Sequence, residues 1–340
     1  MKKFINKIDD ILVESLSGFA AAHSDLVSLH LAPNFLTRKI KAQNKVAIIS
    51  GGGSGHEPLH AGYIGYGMLD AACPGHVFTS PTPDQMLAAA EAVHADKGIL
   101  FIVKNYAGDV MNFEMAAEML PFANGLQIES ATVLTSDDCA VINSTYTTGR
   151  RGVAGTVIVE KCVGSLAETG ASLQACKTLG DKVNARTASI GVALTSCTVP
   201  AAGRPTFDIA DNELEMGVGI HGEPGRRRET MREADAIAKD CVEAILSDLK
   251  AKNLDLTENN EALLLINGFG ATPLMELYLI YNTAAQLFKR HGIQISRSLV
   301  GNYTTALDMA GASITLCLLD IEIKQHWDSG VNTAALRWKI

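Results

Sequence analysis

The chain has 340 residues, of which 47% are hydrophobic and 19% charged, a composition typical of a globular protein with ample apolar material for more than one core. Its formal net charge of −8 argues against nucleic acid as a main partner, because neutralising phosphates requires clustered Lys and Arg. Acidic residues interrupt the N-terminus before a signal-peptide core could form, and no run of about 18 uncharged apolar residues follows. We therefore expect a cytoplasmic protein with no membrane partner.

The first predicted element is an amphipathic helix over residues 5–26, because apolar side chains recur there at helical spacing. Its apolar stripe consists of Ile5, Ile8, Ile11, Leu12, Leu16 and Phe19. A polar connector follows, and residues 45–50 then form a short apolar run that stops abruptly at Gly51. This pattern predicts a buried strand that ends in a glycine loop.

A second group of elements comprises a predicted strand at residues 98–104, a turn at 105–109 and a helix at 110–120. Residues 190–194 and 263–266 are further candidates for buried strands. After the second of these, Thr272 as N-cap and Pro273 as first helical residue predict the start of another helix.

Residues 231–250 have the spacing of a long amphipathic helix, and the polar residues 252–261 predict a loop. The alternation of strands and helices predicts two α/β domains, each with a mostly parallel or mixed sheet covered by helices. Since two helical segments end shortly before residue 190, we place the boundary near residue 185. The expected domains are residues 1–185 and 186–340.

Seven cysteines are scattered along the chain, and no two of them form a C-x-x-C pair. An odd, unclustered set in a chain of this size is typical of reduced thiols in a core, not of a disulfide framework or a zinc site. The cysteines are Cys73, Cys139, Cys162, Cys176, Cys197, Cys241 and Cys317.

The most conspicuous local motif is the glycine-rich stretch at residues 50–58, Ser-Gly-Gly-Gly-Ser-Gly-His-Glu-Pro. His56 and Glu57 stand where a P-loop requires Lys followed by Ser or Thr, which excludes that mode of ATP binding. A dinucleotide fingerprint fails as well, because its last glycine position falls on His56 or on Pro58.

Residues 56–60 also match the metalloprotease pattern H-E-x-x-H. That pattern holds zinc only when one continuous helix sets both histidines on the same face. Pro58 disfavours helical geometry at Glu57 and supplies no backbone N–H, so we expect a helix to begin after His56. A zinc protease is therefore disfavoured.

The remaining interpretation of this stretch is a loop at the carboxyl end of a strand, where open α/β sheets bind ligands. We favour a site for a small polar ligand. The alternative is a plain tight turn with His56 as a partly exposed surface residue, although the four glycines exceed what a turn needs.

Other motifs are weaker when each is taken alone. Lys104 and Asp109 flank the next strand-to-helix turn, although Asp109 is also a plausible N-cap and Lys104 a plausible strand-end lysine. Residues 217–225 alternate glycine with Val and Ile, which suggests a strand that ends at His221 and lets another backbone or a ligand come close. A histidine beside a turn is more often structural. The basic residues 226–228 indicate a solvated loop, or less favourably a surface for partner docking.

Several long motifs nevertheless occur in one order, at residues 50–58, 104–106, 108–109, 146–152, 198–203, 217–225, 270–274 and 276–278. On these motifs the chain resembles the dihydroxyacetone-binding subunit of dihydroxyacetone kinases, the DhaK family. The resemblance covers nearly the whole chain, and only residues 226–260 diverge.

The resemblance implies a role for each candidate residue. His221 is expected to attack the ketone carbonyl and hold the substrate as a covalent hemiaminal, since a neutral imidazole is a nucleophile. His56 and Asp109 are expected to be the acid/base pair that removes the proton from the attacking hydroxyl. The residues expected to surround the substrate are Gly53, Ser54, Gly55, His56, Lys104 and Asp109.

One departure from the family pattern is Ala107, where relatives usually carry a threonine, and it could alter loop hydrogen bonds or substrate preference. With no phosphate loop and no room for a nucleotide domain, the chain resembles the stand-alone subunit of a phosphotransferase-system-linked kinase of glycerol metabolism. The resemblance implies a homodimer that itself holds no cofactor or metal. It also implies a DhaL-type partner subunit that carries ADP and magnesium.

Two alternatives remain open at this point. Some relatives are co-activators that sense dihydroxyacetone for a transcription regulator, and others could phosphorylate another short ketose such as erythrulose. A sensor has less need of an acid/base pair, so the presence of both His56 and Asp109 favours an enzyme.

Overall fold

The computed structural model describes residues 2–121, 128–254, 256 and 260–340. The chain forms two compact units, each assembled from separate stretches of the sequence. Unit 1 contains residues 1–135, 159–181 and 325–340, whereas unit 2 contains residues 136–158 and 182–324.

The predicted division into residues 1–185 and 186–340 therefore differs from the observed units. Residue 185 lies close to one crossing of the chain, but the other crossings have no counterpart in the prediction. Helices carry the chain across three of the four crossings between the units, so no Pro- or Ser-rich linker marks these three in the sequence. These helices are α4 (Gly155–Glu168), α5 (Leu173–Ala185) and α8 (Ile321–Asp328).

Unit 1 contains a mixed six-stranded sheet, which confirms the predicted sheet type. Four neighbouring strands run parallel, and an antiparallel pair extends one edge. The spatial order is β1 (Val27–His30), β2 (Phe35–Arg38), β5 (Ala71–Val77), β3 (Lys45–Ser54), β6 (Asp96–Lys104) and β7 (Ser130–Thr135). A smaller sheet joins β15 (Arg337–Trp338), β14 (Val331–Thr333) and β4 (Gly65–Tyr66).

Helices of unit 1 pack on its sheet through apolar side chains. Apolar side chains from β3 and β6 pack with those of two helices in one buried cluster. Besides α4 and α5, the α-helices are α1 (Ile11–Ala22), α2 (Pro83–Val93) and α3 (Ala107–Met119).

Unit 2 contains a second mixed sheet, in which only β11 and β12 are parallel neighbours. The order is β10 (Arg227–Thr230), β9 (Glu213–Met216), β8 (Thr187–Ala193), β13 (Gly311–Leu319), β11 (Asn260–Gly268) and β12 (Ile293–Gly301). Two long helices, α6 (Ala234–Ala251) and α7 (Leu274–Arg290), pack against this sheet and bury its apolar face.

The glycine stretch is not a loop, contrary to the prediction. Strand β3 continues through Gly51–Gly53 to Ser54, and the three glycines pair in register with β5 before the register shifts at Ser54. Side chains would prevent this pairing, since a Cβ at Gly51 would lie 2.6 Å from the carbonyl oxygen of Cys73. The glycines therefore permit close approach of neighbouring backbone.

The N-terminal prediction was wrong in two respects. The α-helix spans only residues 11–22, after a short 3₁₀ turn at Ile8–Asp10, and Ile8 of the predicted stripe is 47% exposed. The polar connector after it contains β1 and β2, each of which is only four residues long and therefore left no clear periodic signal.

Two predictions in unit 2 also differ from the structure. Thr272 is not an N-cap: α7 begins after Pro273, and the Thr272 hydroxyl bonds the backbone of Gly311 instead. The basic residues 226–228 are not a solvated loop, because two of them lie in β10 and Arg227 and Arg228 form ion pairs with carboxylates of the same unit. In the predicted loop over residues 252–261, positions 255 and 257–259 lie outside the described residues.

All seven cysteines are buried thiols outside any disulfide, which confirms the prediction of core thiols. Burial raises the pKa of the Cys241 thiol to about 12 and that of Cys317 to about 11. Both are therefore poor nucleophiles. Among the described residues, no helix is both long and apolar enough to cross a bilayer.

Two helical glycines provide a direct test of the packing in unit 1. In α4, a Cβ on Gly164 would lie 2.4–2.7 Å from backbone atoms of Met68, so Gly164→Ala should destabilise the protein by about 1–3 kcal/mol. In α1, a Cβ on Gly18 would meet nothing within 4 Å, so Gly18→Ala should stabilise it by about 0.5–1 kcal/mol. Urea unfolding of both variants measures this, and equal effects would contradict the packing described.

Candidate functional site

The first cluster of candidate residues lies at the carboxyl ends of two neighbouring parallel strands in unit 1. Strands β3 and β6 pair from Lys45 and Asp96 to Ser50 and Ile102, so their ends lie side by side. Helix α3 starts three residues after β6 ends. Ligands bind at this edge of open α/β sheets.

His56 is buried, with 1% of its surface exposed, and its ring stacks on that of Phe78 at a centroid distance of 4.9 Å. The alternative of a partly exposed turn histidine is therefore wrong. Residues 57–60 form turns instead of the predicted helix, and a single 3₁₀ turn follows at Ala61–Tyr63. Because no helix runs through residues 56–60, the geometry that H-E-x-x-H needs for zinc is absent from this segment.

The hydroxyl of Ser54 points to the neighbouring strand, where it donates a hydrogen bond of 2.7 Å to the carbonyl oxygen of Gly75. The carboxylate of Glu57 accepts hydrogen bonds from the backbone N–H of Gly55. These contacts shape the segment that leads into His56. The Ser54 hydroxyl is therefore engaged in a hydrogen bond within the protein, whereas the resemblance implied that Ser54 contacts the substrate.

Lys104 and Asp109 form a buried ion pair, with exposures of 1% and 3% and an Nζ to Oδ2 distance of 3.6 Å. Lys104 Nζ also donates to the carbonyl oxygen of Gly51 at 3.3 Å. A Cβ on Gly52 would lie 2.2 Å from this Nζ, so glycine is required there to make room for the lysine. The structure thus explains Gly52 by the position of Lys104.

Asp109 is not an N-cap, because α3 begins at Ala107 after Tyr106 and Asp109 lies inside its first turn. A carboxylate in the first turn is stabilised by the positive end of the helix dipole. Asp109 Oδ1 is buried and has no hydrogen-bond partner in the described part of the chain. One oxygen of this carboxylate is therefore available to accept a proton from a ligand. Ala107, the departure from the family pattern, is the exposed first residue of the same helix.

Two further titratable residues of this cluster were missed by sequence reasoning. His60 Nε2 lies 2.9 Å from Lys104 Nζ, and His60 Nδ1 lies 2.6 Å from Glu160 Oε1. Ser50 Oγ lies 3.0 Å from the same Nδ1. The signals that could have found them are the second histidine of H-E-x-x-H and an acid that follows the apolar run at the start of helix α4.

Burial perturbs both of these groups. It lowers the pKa of His60 well below its usual value, and the nearby charges of Lys104 and His56 act in the same direction. Burial raises the pKa of the Glu160 carboxyl to about 8, although the charge of Lys104 opposes the shift.

The second candidate region lies in unit 2 and contains His221. The predicted strand over residues 217–220 is not formed, because β9 ends at Met216 and Gly217 turns the chain with a φ of 84°. The glycines serve a different purpose here. A Cβ on Gly219 would lie 2.0 Å from Oε2 of Glu223, so glycine allows this carboxylate to approach the backbone.

Glu223 orients the His221 ring. Its Oε1 lies 2.8 Å from His221 Nδ1, and its Oε2 accepts a hydrogen bond from the backbone N–H of His221. A carboxylate can only accept, so Nδ1 carries a proton, and in the neutral ring the lone pair then resides on Nε2. The His221 side chain is 18% exposed, whereas Glu223 is 1% exposed.

Arg151 supports this arrangement from the interior of unit 2. It is fully buried, donates to Asp138 Oδ2 at 2.7 Å, and donates to the carbonyl oxygen of Gly217 at 2.7 Å. Although burial alone would raise the pKa of Glu223, the charge and hydrogen bond of His221 together with the charge of Arg151 lower it. Glu223 is thereby held as a carboxylate.

The structure therefore brings together His56, Lys104, Asp109 and residues 53–55 in unit 1. His221 belongs to unit 2, where Glu223 and Arg151 are its supporting residues. Each group combines a buried acid with a basic or nucleophilic nitrogen. Such pairs perturb pKa values and are common at catalytic sites.

Comparison with known proteins identifies relatives over the full chain. A model of the Dak1 domain matches residues 17–335. The chain is 47% identical to the PEP-dependent dihydroxyacetone kinase, dihydroxyacetone-binding subunit DhaK of Escherichia coli (strain K12), and the match covers 99% of each chain.

Solved structures support the same relationship. The dihydroxyacetone kinase operon co-activator DhaQ matches with a TM-score of 0.86 and 33% identity, over 97% of this chain and 98% of that one. The dihydroxyacetone kinase from C. freundii in complex with AMP-PNP and Mg²⁺ matches with a TM-score of 0.86 and 32% identity, over 99% of this chain and 61% of that one. The resemblance inferred from the motifs is confirmed: the chain belongs to the Dak1 family, together with the DhaK subunits of dihydroxyacetone kinases.

Proposed function

We propose that this chain is the dihydroxyacetone-binding subunit of a phosphoenolpyruvate-dependent dihydroxyacetone kinase, and that it binds the ketone covalently through His221. The observation that carries the proposal is the hydrogen bond between His221 Nδ1 and Glu223, which leaves the Nε2 lone pair as nucleophile. The 47% identity to the DhaK subunit of Escherichia coli supports the choice of substrate.

In the proposed capture step, His221 Nε2 attacks the carbonyl carbon and forms a C–N bond. The π electrons of the carbonyl move to its oxygen, which takes up a proton from solvent and becomes a hydroxyl. The positive charge that develops on the ring is balanced by the Glu223 carboxylate, and loss of the Nδ1 proton to solvent then leaves a neutral hemiaminal. Glycerol has no carbonyl carbon and cannot undergo this step.

For phosphorylation, we propose that Asp109 and His56 act as the acid/base pair on the terminal hydroxyl of the bound ketone. The buried Oδ1 of Asp109, which has no hydrogen-bond partner within the described residues, supports a role as proton acceptor. Lys104 is proposed to contact the substrate and to balance the charge of Asp109.

The phosphoryl donor is proposed to come from a separate DhaL-type subunit that holds ADP and magnesium. Residues 50–58 lack the Lys-Ser/Thr of a phosphate loop, and Gly51–Gly53 are strand residues paired with β5. This segment is therefore unsuited to cradle a nucleotide's phosphates in P-loop fashion. The expected homodimer and the cytoplasmic location remain predictions from the resemblance and the sequence.

A second candidate function is that of a dihydroxyacetone sensor. It is favoured by the structural similarity to the co-activator DhaQ, which is as close in TM-score as the C. freundii kinase. The buried pair of Lys104 and Asp109, together with His56, favours catalysis instead. A kinase for another short ketose, such as erythrulose, would use the same chemistry.

Covalent capture predicts a mass increase of one dihydroxyacetone per chain in native mass spectrometry. His221→Ala should abolish this adduct, because no other group supplies the Nε2 nucleophile in the proposal. His291→Ala, which removes an exposed histidine of the same unit, should keep it. An adduct that survives His221→Ala would contradict the assignment.

Acid/base catalysis predicts that Asp109→Asn and His56→Asn each lower kcat by roughly 10²–10⁴ while the adduct persists. The assay combines the chain with an ADP-binding DhaL-type subunit and its phosphoryl donors, and it measures phosphorylated ketose. Asp211→Asn, at an exposed position, is the control and should be as active as the unaltered protein. Absence of phosphorylated ketose with the unaltered chain would favour the sensor.

The pairing with His221 predicts how Glu223 contributes to stability as the pH changes. Because the folded protein lowers the pKa of Glu223 below 4.5, its contribution is present above that pH and is lost as the pH falls through the folded-state pKa. Urea unfolding should therefore show a deficit of Glu223→Gln that is largest near neutral pH and shrinks in acid. Glu276→Gln, at an exposed position, controls for the loss of one charge. A deficit that grows in acid would contradict the pairing.

A further inference from the structure

Next to Lys104 lies a series of hydrogen-bonded, buried polar groups that have no role in the proposed mechanism. It runs from Lys104 Nζ to His60 Nε2 at 2.9 Å, and from His60 Nδ1 to Glu160 Oε1 at 2.6 Å. His60 is 6% exposed, and Glu160 is fully buried. Since burying such groups is costly unless they are paired, their joint presence calls for a physical explanation.

The proton positions along this series follow from the donor inventory. An ammonium group can only donate, so His60 Nε2 must accept the hydrogen bond from Lys104. The proton of the neutral ring then resides on Nδ1, where it is donated to Glu160 Oε1. The lowered pKa of His60, caused by burial and by the charges of Lys104 and His56, agrees with a neutral ring.

Ser50 locks the orientation of the same ring. Its hydroxyl donates to the carbonyl oxygen of Ile102 at 2.7 Å, so its oxygen faces His60 Nδ1 as an acceptor at 3.0 Å. A ring that turned over would lose the contacts with Ser50, Glu160 and Lys104 together. His60 is therefore held in one orientation from β3 and from α4.

The distances around Lys104 show what this orientation achieves. The contact with His60, at 2.9 Å, is shorter than those with Gly51 at 3.3 Å and with Asp109 at 3.6 Å. Without an acceptor at His60, the ammonium would move towards Asp109 and form a tight ion pair. Asp109 would then be a weaker proton acceptor, because a close positive charge favours its ionised form.

We propose that His60 is a positioning residue for the kinase reaction: it holds Lys104 away from Asp109, so that the carboxylate stays available to the substrate hydroxyl, and Glu160 fixes the His60 ring for this purpose. The inference rests on the proposed function, in which Lys104 and Asp109 act on the bound ketone. It also gives His60, the second histidine of the H-E-x-x-H pattern, a role other than zinc binding.

Two polar substitutions separate this role from a merely structural one. In His60→Gln the longer amide can still accept from Lys104 Nζ, whereas in His60→Asn the amide can satisfy Glu160 but falls short of Lys104. In the reconstituted kinase assay, His60→Asn should lower kcat about tenfold or more with a smaller change in KM, and His60→Gln should stay within about threefold of the unaltered protein. Equal losses in both variants would overturn the proposal.

A double-mutant cycle tests whether His60 acts through Lys104. If it does, adding His60→Asn to Lys104→Met should lower kcat no further than Lys104→Met alone. Fully additive losses would mean that His60 acts by another route and would contradict the proposal.

Nitrogen-15 NMR of the histidine rings provides a readout that needs no kinase activity. With His60 assigned by its absence in His60→Gln, we expect a neutral ring at neutral pH, with the proton on Nδ1 and an unprotonated Nε2. A protonated ring, or a proton on Nε2, would overturn the inference. Because the ring is observed in the unaltered protein, this outcome does not depend on the activity of the variants. If the unaltered chain binds no ketone, the proposed function fails, and this measurement still decides the orientation of His60.

Discussion

The burial of the Lys104 ammonium group governs the arrangement of the candidate site in unit 1. Lys104 is 1% exposed, and an unpaired buried charge would cost several kcal/mol, so the surrounding residues must supply acceptors and space. Asp109, His60 and the carbonyl of Gly51 supply the acceptors. Gly52 supplies the space by lacking a Cβ.

The same principle operates in unit 2 around a buried carboxylate. Glu223 is 1% exposed and is held ionised by His221 and Arg151, and in return it fixes the proton of His221 on Nδ1. In the proposed function, the buried Asp109 of unit 1 is the proton acceptor and the oriented His221 of unit 2 is the nucleophile. Covalent capture also explains how a chain could distinguish a ketone from glycerol, because the hydroxyls alone carry little discrimination.

Much of the fold could be predicted from the sequence, because long elements have a strong periodic signal. The core strands β3, β6, β8 and β11 and the helix α6 were all expected close to where they lie. Strands β1 and β2 were missed because four residues each are too few to show a period. The exchange of segments between the units was missed because helices, not linkers, carry the chain across.

The residues of the candidate site could be predicted from the sequence better than their arrangement in space. His56, Lys104, Asp109 and His221 were singled out from motifs, but Asp109 was also interpreted as a cap, and Gly51 as part of a loop. Glycines in a strand and glycines in a turn look alike in sequence, and only the close contacts of β3 with β5 distinguish them. Glu160 lies a hundred residues from His60 along the chain, so no local pattern could connect the two.

The claim on which the account depends most is that a carbon–nitrogen bond forms between the ketone and His221 Nε2. NMR of protein labelled with nitrogen-15 at histidine, mixed with dihydroxyacetone labelled with carbon-13 at the carbonyl, measures this directly. The account predicts that the bound carbon moves from the carbonyl region to that of tetrahedral carbons and shows a one-bond coupling to one ring nitrogen. The coupling should vanish in His221→Ala. A bound ketone that keeps its carbonyl signal, or a tetrahedral carbon without the coupling, would contradict it.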